Sequence, residues 1–419
     1  MSSIIKVIVS TGQGRLHLVE STVALKKNGA KVKMITGWLP SKILPDFFVN
    51  LLGRIIGRRN LVYGLRKRTS ENLNDNEILS CASSEFFYQF LLILSKIKLL
   101  NGVSASIIGW KVYGWQSRKY IKDADVFHVR SGAGQGGAIA QAKRNNIKVV
   151  VDQSMAHPQE QYMQLTKANK NYPVTINRFW EVLLLEDCNQ ADIILVNSEY
   201  VKNSFLKNGF IESSIVVANL GVRRDFLGIK KDYTVTSEIN LLFTGAFGLR
   251  KGAKIIFKSI KQLIDKNIDF NLDIVGPVAG DIKIPTWFSE HPKIHLHGHI
   301  QQGHLKQYLS ESDLFIFPSY CEGSAQCLKE AMGAAMPVIA TEQSGAPIID
   351  GENGLIIKDD SPDALTLAIL KLMKDKELRS RLGLNAYKTI KDKHSWDQYA
   401  KDVLNMYQRL SENYFDKNI

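Results

Sequence analysis

"CEGSAQCLKEAMGAAMPVIAT", residues 321–341, decides how this chain is read. The run before it, DLFIFP (313–318), has the apolar and aromatic content of a buried strand, and MPVIAT (336–341) has that content again. Between them lie a loop, Ser319 to Ser324, and a helix that starts near Ala325. Strand, loop, helix, strand is the repeating unit of a parallel α/β sheet. In such sheets ligands bind beyond the carboxyl ends of the strands, where this loop lies. The free N–H groups of the helix start favour an anion or sugar oxygens, and Gly323 lets a ligand approach the backbone. Glu322 sits in the loop and Glu330 one to two turns into the helix. Helical side chains lean toward the N-terminus, so Glu330 can reach back to the same place. Two carboxylates there suit a polyol such as a nucleotide sugar, one for the ribose diol and one for the sugar. The competing reading is that Glu322 caps the helix and Glu330 pairs with a neighbouring cation.

The same alternation runs outward in both directions. IIKVIVS, KVKMIT, DVFHVR, IKVVVDQ and DIILVNS are strand-like runs with helical stretches between them, one of these around Arg178 to Cys188. After residue 218 the pattern restarts with INLLFTG (239–245), FNLDIVG (270–276) and KIHLHG (293–298). The expected fold class is therefore α/β, with two doubly wound Rossmann-like domains facing across a cleft. The expected division is 1–218, acceptor-binding; 219–394, donor-binding; and 395–419, a helix that crosses back toward the first domain. In that last segment Trp396, Tyr399, Val403, Met406, Tyr407 and Leu410 recur at helical spacing.

Three further post-strand loops carry chemistry. In LLFTGAFGLRKGAK (241–254) a strand ends at Gly245, and Arg250, Lys251 and Gly252 open a helix. Cations are disfavoured at that end of the helix dipole, so the pair is read either as a diphosphate site, gripped by a guanidinium fork and an ammonium point charge, or as a solvated basic helix start. In STGQGRLH (10–17), Gly12 and Gly14 fit close phosphate approach. His17 stands where a dinucleotide fingerprint would need its third glycine. VVVDQSMAHPQ (149–159) places Asp152 and His157 at a strand's carboxyl end. A lone histidine is more often structural, so His157 is read either way. No HExxH, GxSxG or GxxxxGK[ST] motif occurs.

The chain has 419 residues, 45% hydrophobic, with a formal charge of +13, which suits a folded protein with anionic partners. Thirteen Lys/Arg against five Asp/Glu lie between Lys42 and Lys122, which carries +8 of that excess. There LLGRIIGRRNLVYGLRKR mixes cations with large apolar residues, and FFYQFLLILSKIKLL (86–100) follows. Such a surface suits an anionic membrane or a lipid-linked acceptor; the alternative is a core face backed by a solvated basic face. The 86–100 run is too short to span a bilayer. No nucleic-acid-binding signature accompanies the charge, so nucleic acid is not expected as a partner. Cys81, Cys188, Cys321 and Cys327 form no CxxC and read as reduced, mostly buried thiols. The N-terminus enters a strand without a secretory pattern. A cytoplasmic protein, peripheral to the inner face of the membrane, is expected.

FPSYCEGSAQCLKEAMGAAMPVIAT resembles the glutamate-x7-glutamate signature of the retaining glycosyltransferases of family 4, which have the GT-B fold. FTGAFGLRKG is similar to their donor-phosphate loop, and NLGVRRDF (219–226) to their domain crossover. SGAPIIDGENGLIIKDDSPDAL (344–365) is similar to the segment after the signature, and Trp396 to Ala400 to their terminal W-x-x-x-A helix. The resemblance is strong over about 192–413 and loose before it. It implies transfer from a nucleotide-diphosphate-sugar, with retention of anomeric configuration and no obligatory metal or other cofactor, to a glycan or lipid-linked acceptor in cell-envelope or exopolysaccharide synthesis. It implies that Arg250 and Lys251 neutralise the leaving diphosphate and that Glu330 binds ribose hydroxyls. Glu322 and the amides of Ser324, Ala325 and Gln326, beside Gly323, hold the donor sugar. His157 stands near the transferred sugar, and Gly12 or Gly14 beside the phosphates. Gly245 belongs to the phosphate loop, and Gly276, Pro277, His299 and Ile300 lie near the base. The chain departs from the family at Ala246, where an arginine is usual, at Gln13 within the usual glycine pair, and at Ala335, usually glycine. A nucleotide-sugar epimerase on the same architecture and a non-catalytic basic binding protein are the rival functions.

Overall fold

A computed structural model describes residues 4–12, 17–39, 46–55, 70–171, 181–235 and 237–412. Gly14, residues 56–68 of the basic stretch LLGRIIGRRNLVYGLRKR, and the part of the expected Arg178–Cys188 helix before residue 181, lie outside them. Seven strands form the first sheet: β1 (Lys6–Ser10), β2 (Lys31–Thr36), β3 (Ile78–Ser80), β4 (Val126–Arg130), β5 (Lys148–Gln153), β6 (Ile193–Val196) and β7 (Ile215–Val217). Six form the second: β8 (Ile239–Thr244), β9 (Phe270–Val275), β10 (Ile294–Gly298), β11 (Leu314–Phe317), β12 (Val338–Thr341) and β13 (Leu355–Ile357). Their orders are β3-β2-β1-β4-β5-β6-β7 and β10-β9-β8-β11-β12-β13, parallel throughout. Both reverse direction beside their first strand, between β1 and β4 and between β8 and β11. Helices leave opposite faces of the sheet there, and the loops part into a crevice.

The helices of the first domain are α1 (Leu18–Lys27), α2 (Asp46–Ile55), α3 (Ala82–Lys96), α4 (Gly102–Ser117), α5 (Ala138–Arg144), α6 (Pro158–Ala168) and α7 (Glu199–Leu206). Those that follow are α8 (Ala253–Asp265), α9 (Gln302–Glu311), α10 (Gln326–Gly333), α11 (Pro362–Lys374), α12 (Lys376–Lys393) and α13 (Trp396–Ser411). Inner strands such as β6 and β11 are buried on both faces, so they read as continuous apolar runs, IILV and LFIF.

The last helix, α13, belongs spatially to the first domain. Ser395 caps it by accepting the Gln398 N–H at 3.0 Å. Its apolar stripe, Tyr399, Val403, Met406, Tyr407 and Leu410, is buried with Val7, Val9 and Leu18. Each large side chain so buried contributes roughly 1.5–3 kcal/mol. The Tyr407 hydroxyl lies 2.6 Å from His128 Nδ1, and Ser21 donates to the Tyr399 hydroxyl at 3.1 Å. The chain therefore crosses between domains twice, and the crossings touch: the Val222 N–H donates to the His394 carbonyl at 2.7 Å. A Cβ on Gly221 would stand 2.4 Å from Trp396 N, so only glycine admits that approach.

Ala335 follows the end of α10 with φ +68, the left-handed region that favours glycine. Its carbonyl accepts from the Tyr233 hydroxyl at 2.8 Å, which holds it there. Ala335→Gly is expected to raise stability by about 0.5–1 kcal/mol, read as a shift of the urea unfolding midpoint at unchanged slope.

Candidate functional site

The loops after β8 and β11 meet at the second sheet's switch point and lock together. The Tyr320 N–H donates to the Arg250 carbonyl at 2.9 Å, and Arg250 Nη1 donates to the Cys321 carbonyl at 2.9 Å. A Cβ on Gly252 would fall 1.9 Å from the Pro318 carbonyl oxygen, so glycine is required where the loops cross. This packing delivers both cations to one carboxylate. Arg250 is ion-paired with Glu322, and Lys251 Nζ lies 3.3 Å from the same oxygen. Lys251 also sits 4.8 Å above the Phe317 ring. The two cations and the first glutamate, expected to serve different parts of a ligand, thus form one ion-pair cluster.

Glu322, Gly323, Ser324, Gln326 and Glu330 line a single cavity of about 420 Å³ between the domains. Helix α10 has no side-chain cap, which leaves its first-turn N–H groups to whatever occupies the cavity. The Ala325 amide is not among them, because it donates to the Ser344 carbonyl at 3.0 Å. Glu330 lines the cavity, as the helix direction allowed. Burial, outweighing Arg223 and Lys329, pushes its carboxyl up to about 7. The adjoining Lys329 is buried and donates to the Leu220 carbonyl at 3.0 Å, and burial lowers its ammonium to about 7.

The opposite wall comes from the first domain: His17, Glu20, Ser154, Met155 and Asn197, with Leu220, Arg223 and Trp396 from the two crossings. His17 Nε2 lies 2.8 Å from Asp152 Oδ2, and His128 Nε2 lies 3.4 Å from the same atom. Burial opposes ionisation of Asp152, but His17 and His128 together outweigh it and hold the carboxyl well below the usual carboxylate range. Arg130 pairs in register with Asp152 across the sheet and stacks 4.9 Å from the Trp110 ring. Asn197 donates to the Ser154 carbonyl at 3.1 Å, while its buried Oδ1 has no hydrogen-bond partner among the described residues. A buried acceptor left so is expensive unless a ligand satisfies it.

The other expected residues divide. Gly245 and Gly276 are pressed together beside Lys251. A Cβ on Gly276 (φ +141) would meet the Gly245 oxygen at 2.1 Å, and one on Gly245 would meet Lys251 Nζ at 3.0 Å. The Pro277 carbonyl accepts the Phe247 N–H at 2.8 Å. His299 is exposed and Ile300 packs on the second core; neither lines the cavity. Gly12 lies under the Trp110 ring, where a Cβ would come within 2.5 Å. His157 does not line the cavity either. It caps α6 by accepting the Gln159 N–H on Nδ1 at 3.2 Å, and its ring packs edge-on against Phe205 and Phe210. Burial lowers its imidazole to about 4, which keeps it neutral. The structure gives it the capping and packing role that its position also allowed.

The first-domain wall was mostly invisible in the sequence. His17 was seen only as a missing glycine, Asn197 and Ser154 carried no motif, and Arg223 was seen only as part of the crossover segment NLGVRRDF. Their one shared mark is position: Ser154 and Asn197 directly follow β5 and β6, and Arg223 lies in the crossover.

Residues 229–389 match the family model described as Glycosyl transferases group 1. An uncharacterized glycosyltransferase of Methanocaldococcus jannaschii is 31% identical over 226 residues, covering 53% of this chain and 61% of the relative. The capsular polysaccharide biosynthesis glycosyltransferase CapM of Staphylococcus aureus is 25% identical over 171 residues, covering 39% of this chain and 44% of CapM. The chain thus spans less than two thirds of either relative. S. aureus TarM, solved with fondaparinux, alpha-GlcNAc-glycerol and UDP, superposes with a TM-score of 0.66 at 12% identity, covering 96% of this chain and 100% of that one. The last likeness shows the fold, two Rossmann-like domains in the GT-B arrangement. Arg250, Lys251, Glu322 and Glu330 all lie within the stretch that matches the Glycosyl transferases group 1 model.

Proposed function

We propose that the protein is a retaining glycosyltransferase of the family 4 type. It moves a sugar from a nucleotide-diphosphate-sugar to a glycan or lipid-linked acceptor in cell-envelope or exopolysaccharide synthesis. One observation carries the reading: two glutamates and a helix start line one interdomain cavity, and two cations are paired with the first of those glutamates. The relative CapM, a capsular polysaccharide enzyme by name, and TarM, bound to UDP and saccharides, agree with it.

The chemistry follows from the charges. Breaking a glycosyl–phosphate bond leaves negative charge on the diphosphate and positive charge on the ring. Arg250 and Lys251 are preplaced for the former, as is the uncapped start of α10. An incoming diphosphate competes with Glu322 for both cations, and the displaced carboxylate is freed to accept hydrogen bonds from the sugar. Glu330, with its carboxyl near 7, accepts from ribose hydroxyls when ionised. Asn197 Oδ1 and the His17–Asp152 pair face them from the acceptor side. In a front-face transfer the leaving phosphate oxygen takes the acceptor's proton, which retains configuration without a second nucleophilic carboxylate.

Glu330→Ala tests the assignment. Turnover of the nucleotide sugar that stabilises the wild type in a thermal-shift screen should fall about a hundredfold in kcat/KM, the size of lost charge-assisted hydrogen bonds. The melting curve without ligand should stay cooperative. Unchanged turnover would refute the donor site, an inverted anomeric proton in the product's NMR spectrum would refute retention, and an epimerised nucleotide sugar made without acceptor would favour the isomerase.

A further inference from the structure

We infer that the helical hairpin α3–α4 is a docking surface for an anionic membrane. This goes beyond the transfer reaction and does not depend on it.

Helix α3 turns its apolar stripe outward. Phe86, Phe90, Ile93 and Ile97 recur at helical spacing and are 53%, 53%, 53% and 58% exposed, and Leu99 just beyond them is 74% exposed. Helix α4 adds Ile108 and Trp115, the latter 60% exposed. Loose packing does not explain this, because the inner face is tightly built. Glu85 is buried and accepts the Trp38 N–H at 2.6 Å, and Gln116 ties α4 to Ser83 and Ser84 at 2.7 and 2.9 Å. Gly109 admits the Tyr88 ring so closely that a Cβ would stand 2.1 Å from it. A contiguous apolar patch of this kind on a folded protein marks an interaction surface.

Charge decides the occupant. Residues 82–122 hold six Lys/Arg and a single carboxylate, Glu85, which faces inward. Lys96, Lys98, Lys111 and Lys119 are exposed on the same hairpin. Pairing with a second copy would bring like charges together across a twofold axis, whereas an anionic lipid surface attracts each of them. The Arg118 guanidinium lies 5.7 Å from the Trp115 ring centre, an aromatic–cation pair suited to the headgroup level. Helix α3, 15 residues long, measures roughly 22 Å, shorter than the ~30 Å hydrocarbon core. No helix of the described residues is long and apolar enough to cross a membrane. The hairpin therefore lies on the surface.

The hairpin is also tied to the carboxyl end of the first strand. From the same α4, the Trp110 ring covers Gly12, and the Tyr113 hydroxyl lies 3.1 Å from Ser10 Oγ at the end of β1.

The test is flotation of the full chain with phosphatidylcholine vesicles, with and without phosphatidylglycerol. Wild type should bind the anionic vesicles, and added salt should weaken binding. Phe90→Ser with Ile93→Ser should lower partitioning at least about tenfold. Lys96→Gln with Lys98→Gln should lower it about thirtyfold on anionic vesicles only. Both pairs are exposed, so the variants should keep the wild-type melting temperature. Three results would overturn the inference: no binding of wild type to either vesicle, binding only when a polyprenyl phosphate is added, or a wild-type dimer that the apolar pair dissociates.

Discussion

Lys251→Ala is expected to lower kcat by about 10²–10³-fold, the effect of removing one preorganised partner of a developing charge. The Lys251 side chain is 13% exposed, its ammonium wedged between Glu322 and the Phe317 ring, and so acts where water screens little. Arg250→Ala should cost less, because its side chain is 37% exposed and shares its hydrogen bonds with the Cys321 carbonyl. Glu322→Gln separates the roles of the cluster. It frees both cations, so the nucleotide diphosphate product should bind as tightly as to wild type or tighter, while sugar transfer falls about a hundredfold. Steady-state kinetics and calorimetry with the diphosphate read the two effects independently. Turnover by Lys251→Ala within about threefold of wild type would remove the electrostatic role assigned to this lysine.

Gly323→Ala should be nearly as damaging without touching any charge. The Gly323 carbonyl accepts from Ser198 Oγ at 2.5 Å, a direct bond between the domains. A Cβ there would stand 1.5 Å from the Ser154 carbonyl oxygen, and one on Gly345 would stand 2.0 Å from the Gly323 oxygen. Three backbone segments from two domains meet at this point, and none can yield as a flexible side chain could. The added methyl must push the α10 loop away from the β5 loop. A displacement of about 1 Å between catalytic groups commonly costs about 10²-fold, so kcat/KM should fall by about that factor or more. Nucleotide diphosphate binding, which the proposed function assigns mostly to the second domain, should weaken far less. Wild-type turnover by this variant would show that the seam seen here is not the arrangement in which transfer occurs.

The chain's own order determined a good deal. Apolar runs such as DLFIFP and DIILVNS, with helical stretches between, specify parallel sheets, because a strand buried on both faces must be apolar throughout. The carboxyl ends of those strands then fix which loops carry chemistry. The strand-loop-helix spacing lets Glu322 and Glu330 reach one cavity, as they do, and the period of Trp396 to Leu410 shows which face of α13 is buried. What the sequence could not express is the partner of each group. His17 reaches Asp152 across 135 residues, and His128 reaches Tyr407 across 279. Arg250 and Lys251 read as free cations, yet the packing of two loops delivers both to Glu322. His157 stood in a position suited to chemistry, but Phe205 and Phe210, far along the chain, enclose it. A periodic pattern records that a face avoids water, not what it meets instead. Side-chain chemistry records what a group can bond, not what stands within 3 Å of it. Only the folded chain settles those distances, since they depend on how sheets, crossings and loops pack as solids.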